Sequence, residues 1–152
     1  VRIIKYIVLH CTASPQTQTV EQILAFFKNV KKWHNPGYHY IIRPDGSYVN
    51  TCSIENIANG VAGHNANSIH ISYIGGIDAK GKGIDNRTTA QKATQVKLLT
   101  ELKKKFPNAE ILGHRDLSPD LNHDGIIQPW EWIKECPSFD VRNWLKSINF
   151  KV

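Results

Sequence analysis

Short apolar runs alternate with longer amphipathic ones along this chain, and that alternation constrains its fold more than any other feature. "IKYIVLHCTAS" reads as a buried strand running out into a polar loop. "TVEQILAFFKNVKKWH" follows, with Ile23, Phe26, Phe27, Val30 and Trp33 on one helical face and a Thr19/Gln22 capping-box pattern at its start. "NPG" breaks that helix, and "YHYIIRPDGSYVNT" predicts a hairpin turning at Asp45-Gly46. "NSIHISYIGG" is the next strand, ended by Gly75 and Gly76 and followed by the Gly-rich loop "GIDAKGKGIDN". A second amphipathic helix, "TTAQKATQVKLLTELKKKF", has Thr88 and Gln91 as its box and Val96, Leu99, Leu102 and Phe106 on one face. "AEILGH" is a short strand, and "SFDVRNWLKSI" a last helix with Ser138 as its N-cap. The expectation is an α/β fold: a single domain over residues 1–152, with a central mixed β-sheet flanked by helices.

At 152 residues the chain can bury one real core, and it shows no repeat or low-complexity linker. No apolar run approaches the ~18 residues of a spanning helix, so no membrane insertion is expected. Lys5 interrupts "VRIIKYIVLHC" and no small-residue cleavage site follows, so this segment reads as a first strand rather than an export leader. The net charge of +6 favours anionic partners. The dense basic run, Lys103 to Lys105, reads as a solvated helix end that suits the helix dipole. No basic face interleaves with aromatics, so nucleic acid is not an expected partner. Three Cys cannot all pair, which excludes a disulfide framework. Cys11 and Cys52 read as buried thiols, and Cys136 needs a different account.

His10 in "IVLHCTAS" and His114 in "ILGHRD" both stand where a predicted strand runs out, the place where α/β folds build their sites. Two neutral imidazoles and the Cys136 thiolate suit zinc, and three protein ligands leave the fourth position open, as catalysis requires. A structural zinc would show close Cys pairs, and none is present. By spacing alone, ordinary hydrogen-bonded histidines at strand ends are the commoner explanation of the pattern.

The motifs "VLHCTAS", "GYHYIIRPDG", "AGHNANSIHISYIGGID", "ILGHRD" and "KECPSFD" occur in that order over nearly the whole chain. Together they resemble the type 2 N-acetylmuramoyl-L-alanine amidases, the family of phage lysozyme-amidases and peptidoglycan recognition proteins. The resemblance implies one catalytic zinc on His10, His114 and Cys136, with Tyr38 and Lys134 taking part in catalysis. It implies hydrolysis of the amide bond between N-acetylmuramic acid and L-alanine in peptidoglycan, and a substrate groove holding His64 and Asn67. Peptidoglycan or muropeptides would be the partners of a monomer. Its place would be the cell envelope, periplasmic or extracellular, or reached by phage-type release from the cytoplasm. The alternative is a non-catalytic peptidoglycan-binding module, but relatives of that kind typically lack the zinc Cys. His34 and His39 suit structural roles. His70 replaces the Gly usual in the family's "NSIGI", so it either points outward or alters the packing or the groove. Arg115 would serve a substrate carboxylate or a salt bridge.

Close phage relatives have only a short loop between the second His and the Cys, whereas here residues 115–135 intervene. Within them Asp120, Asn122, Asp124, Gly125 and Glu131 match the twelve-residue calcium-loop pattern. Side-chain oxygens would come from Asp120, Asn122 and Asp124, a backbone carbonyl from Ile126, a direct or water-bridged ligand from Gln128, and both carboxylate oxygens from Glu131. Gly125 permits the sharp turn, and Ile127 can pack inward. Pro119 argues against an entering helix, so this is an isolated loop, an insertion at about 117–135. Pro129 suits the start of an exit helix, and "PWEWIKE" predicts about two turns of it. A structural Ca2+ would then act as a clamp, because Glu131, Lys134 and Cys136 would follow one another on that helix.

Overall fold

The computed structural model describes residues 2–132 and 134–151. Five strands form one sheet: β1 (Tyr6–Cys11), β2 (Tyr40–Ile42), β3 (Tyr48–Asn50), β4 (Ser68–Tyr73) and β5 (Glu110–Gly113), in the order β3-β2-β4-β1-β5. β1 runs parallel to both β4 and β5, and β2 runs parallel to β4, while β3 pairs antiparallel with β2 at the edge. The sheet is mixed and lies within a single domain. The hairpin joining β2 to β3 turns through Gly46, whose φ of 88° suits a residue without a Cβ.

Side-chain alternation gives the sheet two different faces. Ile7, Leu9 and Cys11 of β1 and Ile69, Ile71 and Tyr73 of β4 point to one side. There they meet Leu98, Leu99 and Leu102 of α2 (Thr89–Lys105) and Val141 and Leu145 of α3 (Val141–Ser147). Leu99 is wholly buried, so truncating it to Ala would cost about 2–5 kcal/mol. On the other side α1 (Val20–Asn29) lays Val20, Ile23 and Phe27 against Ile41 and Ile74. α1 therefore covers the β2 end of that face. Over β1 and β5, Val61 and Leu117 come from loops and short turns to cover Val8 and Leu112. The partial cover leaves a cleft at the strand ends.

Both capping boxes form as the sequence predicts, with Thr19 and Gln22 opening α1 and Thr88 and Gln91 opening α2. The apolar stripes are narrower. Phe26 and Val30 remain 45% and 65% exposed, and Trp33 lies beyond the helix, because α1 meets the sheet only along its Ile23–Phe27 edge. On α2 the buried face keeps Leu99 and Leu102, with Phe106 half-buried against the core, and continues through Gln91 and Gln95 instead of Val96. Gln91 tolerates burial because it donates to the Ile42 and Ile74 carbonyls, while Gln95 has its oxygen satisfied by Arg87 and its Nε2 without a partner among the described residues. Arg87 lies over both the Phe139 and Trp144 rings and is paired with Asp85 at 2.9 Å. The N-cap of α3 is Asp140, which accepts from the Asn143 amide, and not Ser138. Ser138 has a φ of 68° and donates its hydroxyl to Gly76 O. Lys103 donates to the Pro107 and Ala109 carbonyls, so one lysine of the basic run fastens the end of α2.

Candidate active site and metal centre

Because β1 and β5 are adjacent and parallel, their C-terminal ends fall side by side. His10 is the last residue but one of β1, and His114 follows directly on β5. Cys136 reaches the same point from a loop that two backbone contacts hold: Arg115 N donates to Cys136 O at 3.0 Å, and Cys11 N donates to Cys136 Sγ at 3.2 Å. One donor atom from each of His10, His114 and Cys136 lies within 4.8 Å of the others, and His10 Nδ1 is 3.7 Å from Cys136 Sγ. A single ion with ligand bonds of about 2.0–2.3 Å spans such gaps, so the donor set fits zinc.

The electrostatics agree with that fit. His10 is 1% exposed, and burial, reinforced by the neighbouring His70 and His114, holds its pKa well below the usual imidazole range. Burial, with Lys134 nearby, pushes His114 down to about 4. Both rings are neutral at pH 7 and have a lone pair to give. Burial raises the Cys136 thiol well above its ordinary value, so a thiolate there depends on a cation, with the Cys11 amide as a hydrogen-bond donor.

The cleft around these donors has a volume of about 770 Å³. Tyr38 and Lys134 both line it. The Tyr38 ring stands 5.1 Å from that of His10, and its hydroxyl donates to Cys11 O at 3.3 Å. Burial pushes the phenol up, so it stays protonated and able to donate. Lys134 is exposed at the rim. The geometry therefore gathers three metal donors, one hydroxyl and one ammonium around one opening.

The family model for N-acetylmuramoyl-L-alanine amidase matches residues 1–137. The chain belongs to this amidase family. An uncharacterised protein of Haemophilus influenzae is 52% identical over 103 residues, covering 68% of this chain and 89% of that protein. The endolysin of Klebsiella phage KP32 is 33% identical over 144 residues, covering 91% of this chain and 83% of the phage protein. Among solved structures, the Ph2119 endolysin from Thermus scotoductus MAT2119 bacteriophage Ph2119 superposes with a TM-score of 0.73 at 25% identity. That alignment covers 98% of this chain and 86% of the endolysin.

Other residues of the chain fall differently from expectation. His64 packs edge-on against Tyr6, and Asn67 donates to the Ile3 carbonyl. Neither lines the cleft, whereas Asn65 between them does. The turn Asn65–Asn67 points the middle of this segment outward and its start inward, which the sequence did not reveal. His39 is structural: Nδ1 accepts from His70 N, and Nε2 meets Asn56 O. His70 is buried and points inward. Alternation with Ile69 and Ile71 places it only on the opposite face of β4, and the cover over that face is what buries it. Arg115 lies over the Trp132 ring at 3.9 Å, a stacking partner in place of the expected carboxylate.

The 120–131 segment folds into a tight loop. Carboxylate oxygens of Asp120, Asp124 and Glu131 come within 4.8 Å of one another. Backbone amides satisfy part of the set: Gly125 N donates to Asp120, Ile126 N to Asp124, and Gln128 N to Glu131. Two buried oxygens, Asp120 Oδ1 and Gln128 Oε1, find no hydrogen-bond donor among the described residues. Ile127 is half-buried. The expected exit helix does not form as two turns. Only a single 3-10 turn, Pro129–Glu131, follows, and Trp132 is extended at ψ 123°. Ile133 lies outside the described residues. Glu131 and Cys136 therefore share no continuous helix, and the helical version of the clamp is wrong.

Proposed function

We propose that this chain is a zinc-dependent N-acetylmuramoyl-L-alanine amidase that cuts the bond between N-acetylmuramic acid and L-alanine in peptidoglycan. The observation that carries the reading is the meeting of His10, His114 and Cys136 donors with Tyr38 and Lys134 on one cleft. When bound, zinc supplies Lewis acidity and lowers the pKa of water toward ~7. The chain's own groups do the rest. Lys134 offers an ammonium to the oxyanion that develops as the lactyl amide carbonyl becomes tetrahedral. Tyr38 swings its hydroxyl from Cys11 O to the same oxyanion, or passes its proton to the leaving amine. The endolysin relatives are in keeping with a wall-cutting protein working in the cell envelope, and no described helix is long and apolar enough to cross a membrane.

In the same reading, residues 117–135 are an insertion whose loop holds one structural calcium through Asp120, Asn122, Asp124, Ile126, Gln128 and Glu131. The orphaned oxygens of Asp120 and Gln128 and the crowding of three carboxylates support it. Its role is to order the tether that brings Cys136 to the zinc donors.

The test is digestion of purified sacculi by the zinc-loaded chain, read by mass spectrometry. The expected products are stem peptides with a free L-alanine amino terminus and uncut glycan strands. Tyr38→Phe and Lys134→Ala should each lower kcat by about 10²–10³-fold and move KM much less. Zinc-loaded protein that binds sacculi and releases no peptide would instead be the non-catalytic binding module.

A further inference from the structure

Val61 N–H can only donate, and it donates to Asn65 Oδ1 at 2.8 Å. That fixes which end of the Asn65 amide faces inward. The same Oδ1 lies 2.9 Å from His70 Nε2, so the His70 proton must sit on Nε2. His70 Nδ1 is then a bare acceptor, and it lies 2.8 Å from His10 Nε2. His10 must therefore carry its proton on Nε2. Its Nδ1 is left bare, and that is the atom facing Cys136 Sγ. One obligate backbone donor thus sets a chain of protons that ends at the metal donors.

The fold keeps His70 in this position. Its backbone N–H donates to His39 Nδ1 at 3.0 Å, and the His39 ring stacks on it at 5.8 Å. Gly60 leaves it room, since a Cβ at that position would lie 2.4 Å from His70 Nδ1. Both ring nitrogens of His70 are engaged, so it has none to offer to an ion.

We infer that His70 is a positioning residue of the metal centre: it accepts the Nε2 proton of His10 and so fixes the tautomer and orientation that aim His10 Nδ1 at the ion. This rests on the zinc reading above. A partner of this kind raises the basicity of a ligating imidazole and holds its ring, and losing one typically weakens metal binding about 10–100-fold.

The test compares zinc affinity, by competition with a chromophoric chelator, in the parent, His70→Leu and His70→Asn. Asn carries an acceptor Oδ1 at the bonded position of His Nδ1, whereas Leu carries none. Both lose the stack on His39, so a merely structural role would move them together. The expected result is a loss of about 10–100-fold for Leu and recovery to within about threefold of the parent for Asn. A zinc-binding parent matched by His70→Leu, or an Asn variant as weak as Leu, overturns the inference and leaves the zinc reading standing. A parent that takes up no zinc overturns both. Nitrogen–proton correlation spectra of the zinc-loaded parent supply a readout that needs no variant. His70 should be protonated at Nε2 and bare at Nδ1, and protonation at Nδ1 would overturn the proposal.

Discussion

Two clusters of side chains suited to metal ions occur in this chain, and they are built in opposite ways. His10, His114 and Cys136 are far apart in sequence and meet because parallel strands end together. Asp120, Asp124 and Glu131 lie within one loop and meet because local turns fold it back. The first cluster is sunk in the sheet, and its imidazoles hold one another and His70 in place. The second sits on a surface loop, its carboxylates running from buried Glu131 through half-buried Asp120 to exposed Asp124, and is held by its own amides. The lesson is that the buried set is preorganised by the whole core, so altering it should cost function more than stability. The surface set is organised only by its loop, so its effect should be on local order.

The sharpest way to break this contrast is Cys136→Ser. It should lower sacculus hydrolysis by more than about 100-fold and remove most zinc, measured by metal content, while circular dichroism stays native. If the variant unfolded instead, the centre would be a structural support rather than a site carried by the fold.

A middling effect is expected from acid. In the chelator-treated chain His114 has its folded pKa pushed down to about 4 against an ordinary value of 6.5. The unfolded chain then binds the extra proton, so the contribution of this ring is complete above pH 6.5 and is lost as pH falls toward 4. The loss from His114 alone is roughly 3 kcal/mol. Thermal melts of the parent should steepen through that window, and those of His114→Asn should be flatter. Equal slopes would mean that the ring is not buried as neutral imidazole.

The smallest effect concerns the loop. Calcium at about 100 times its dissociation constant should stabilise the parent by roughly 2.7 kcal/mol, a rise in melting temperature of several degrees. The pair Asp124→Ala with Glu131→Ala should abolish the rise and loosen zinc retention. Parent melts that ignore calcium would reduce the loop to an acidic turn.

Much of the fold was legible because it is written locally. The two capping boxes, the hairpin glycine and the strand runs depend on residues close together in sequence, and all formed where expected. Errors arose where a distant partner decided. Gln91 is buried on α2 because distant carbonyls take its amide protons, and Gln95 because Arg87 donates to its oxygen. Phe26 and Val30 stay exposed because the sheet ends beneath α1. The two turns expected after Pro129 stop at Glu131, whose carboxylate is drawn back to the Leu121 and Gln128 amides.

The sequence by itself determined the elements, the residue types of both metal clusters and the resemblance to an amidase family, since each rests on identity and short-range order. Only the tertiary structure decided that His70 turns inward to His10, that Asn65 rather than His64 lines the cleft, and which nitrogen of His10 is left bare. The physical reason is that a proton on an imidazole is placed by the partners around it. Those partners, from Val61 to Cys136, are brought together only when the sheet closes.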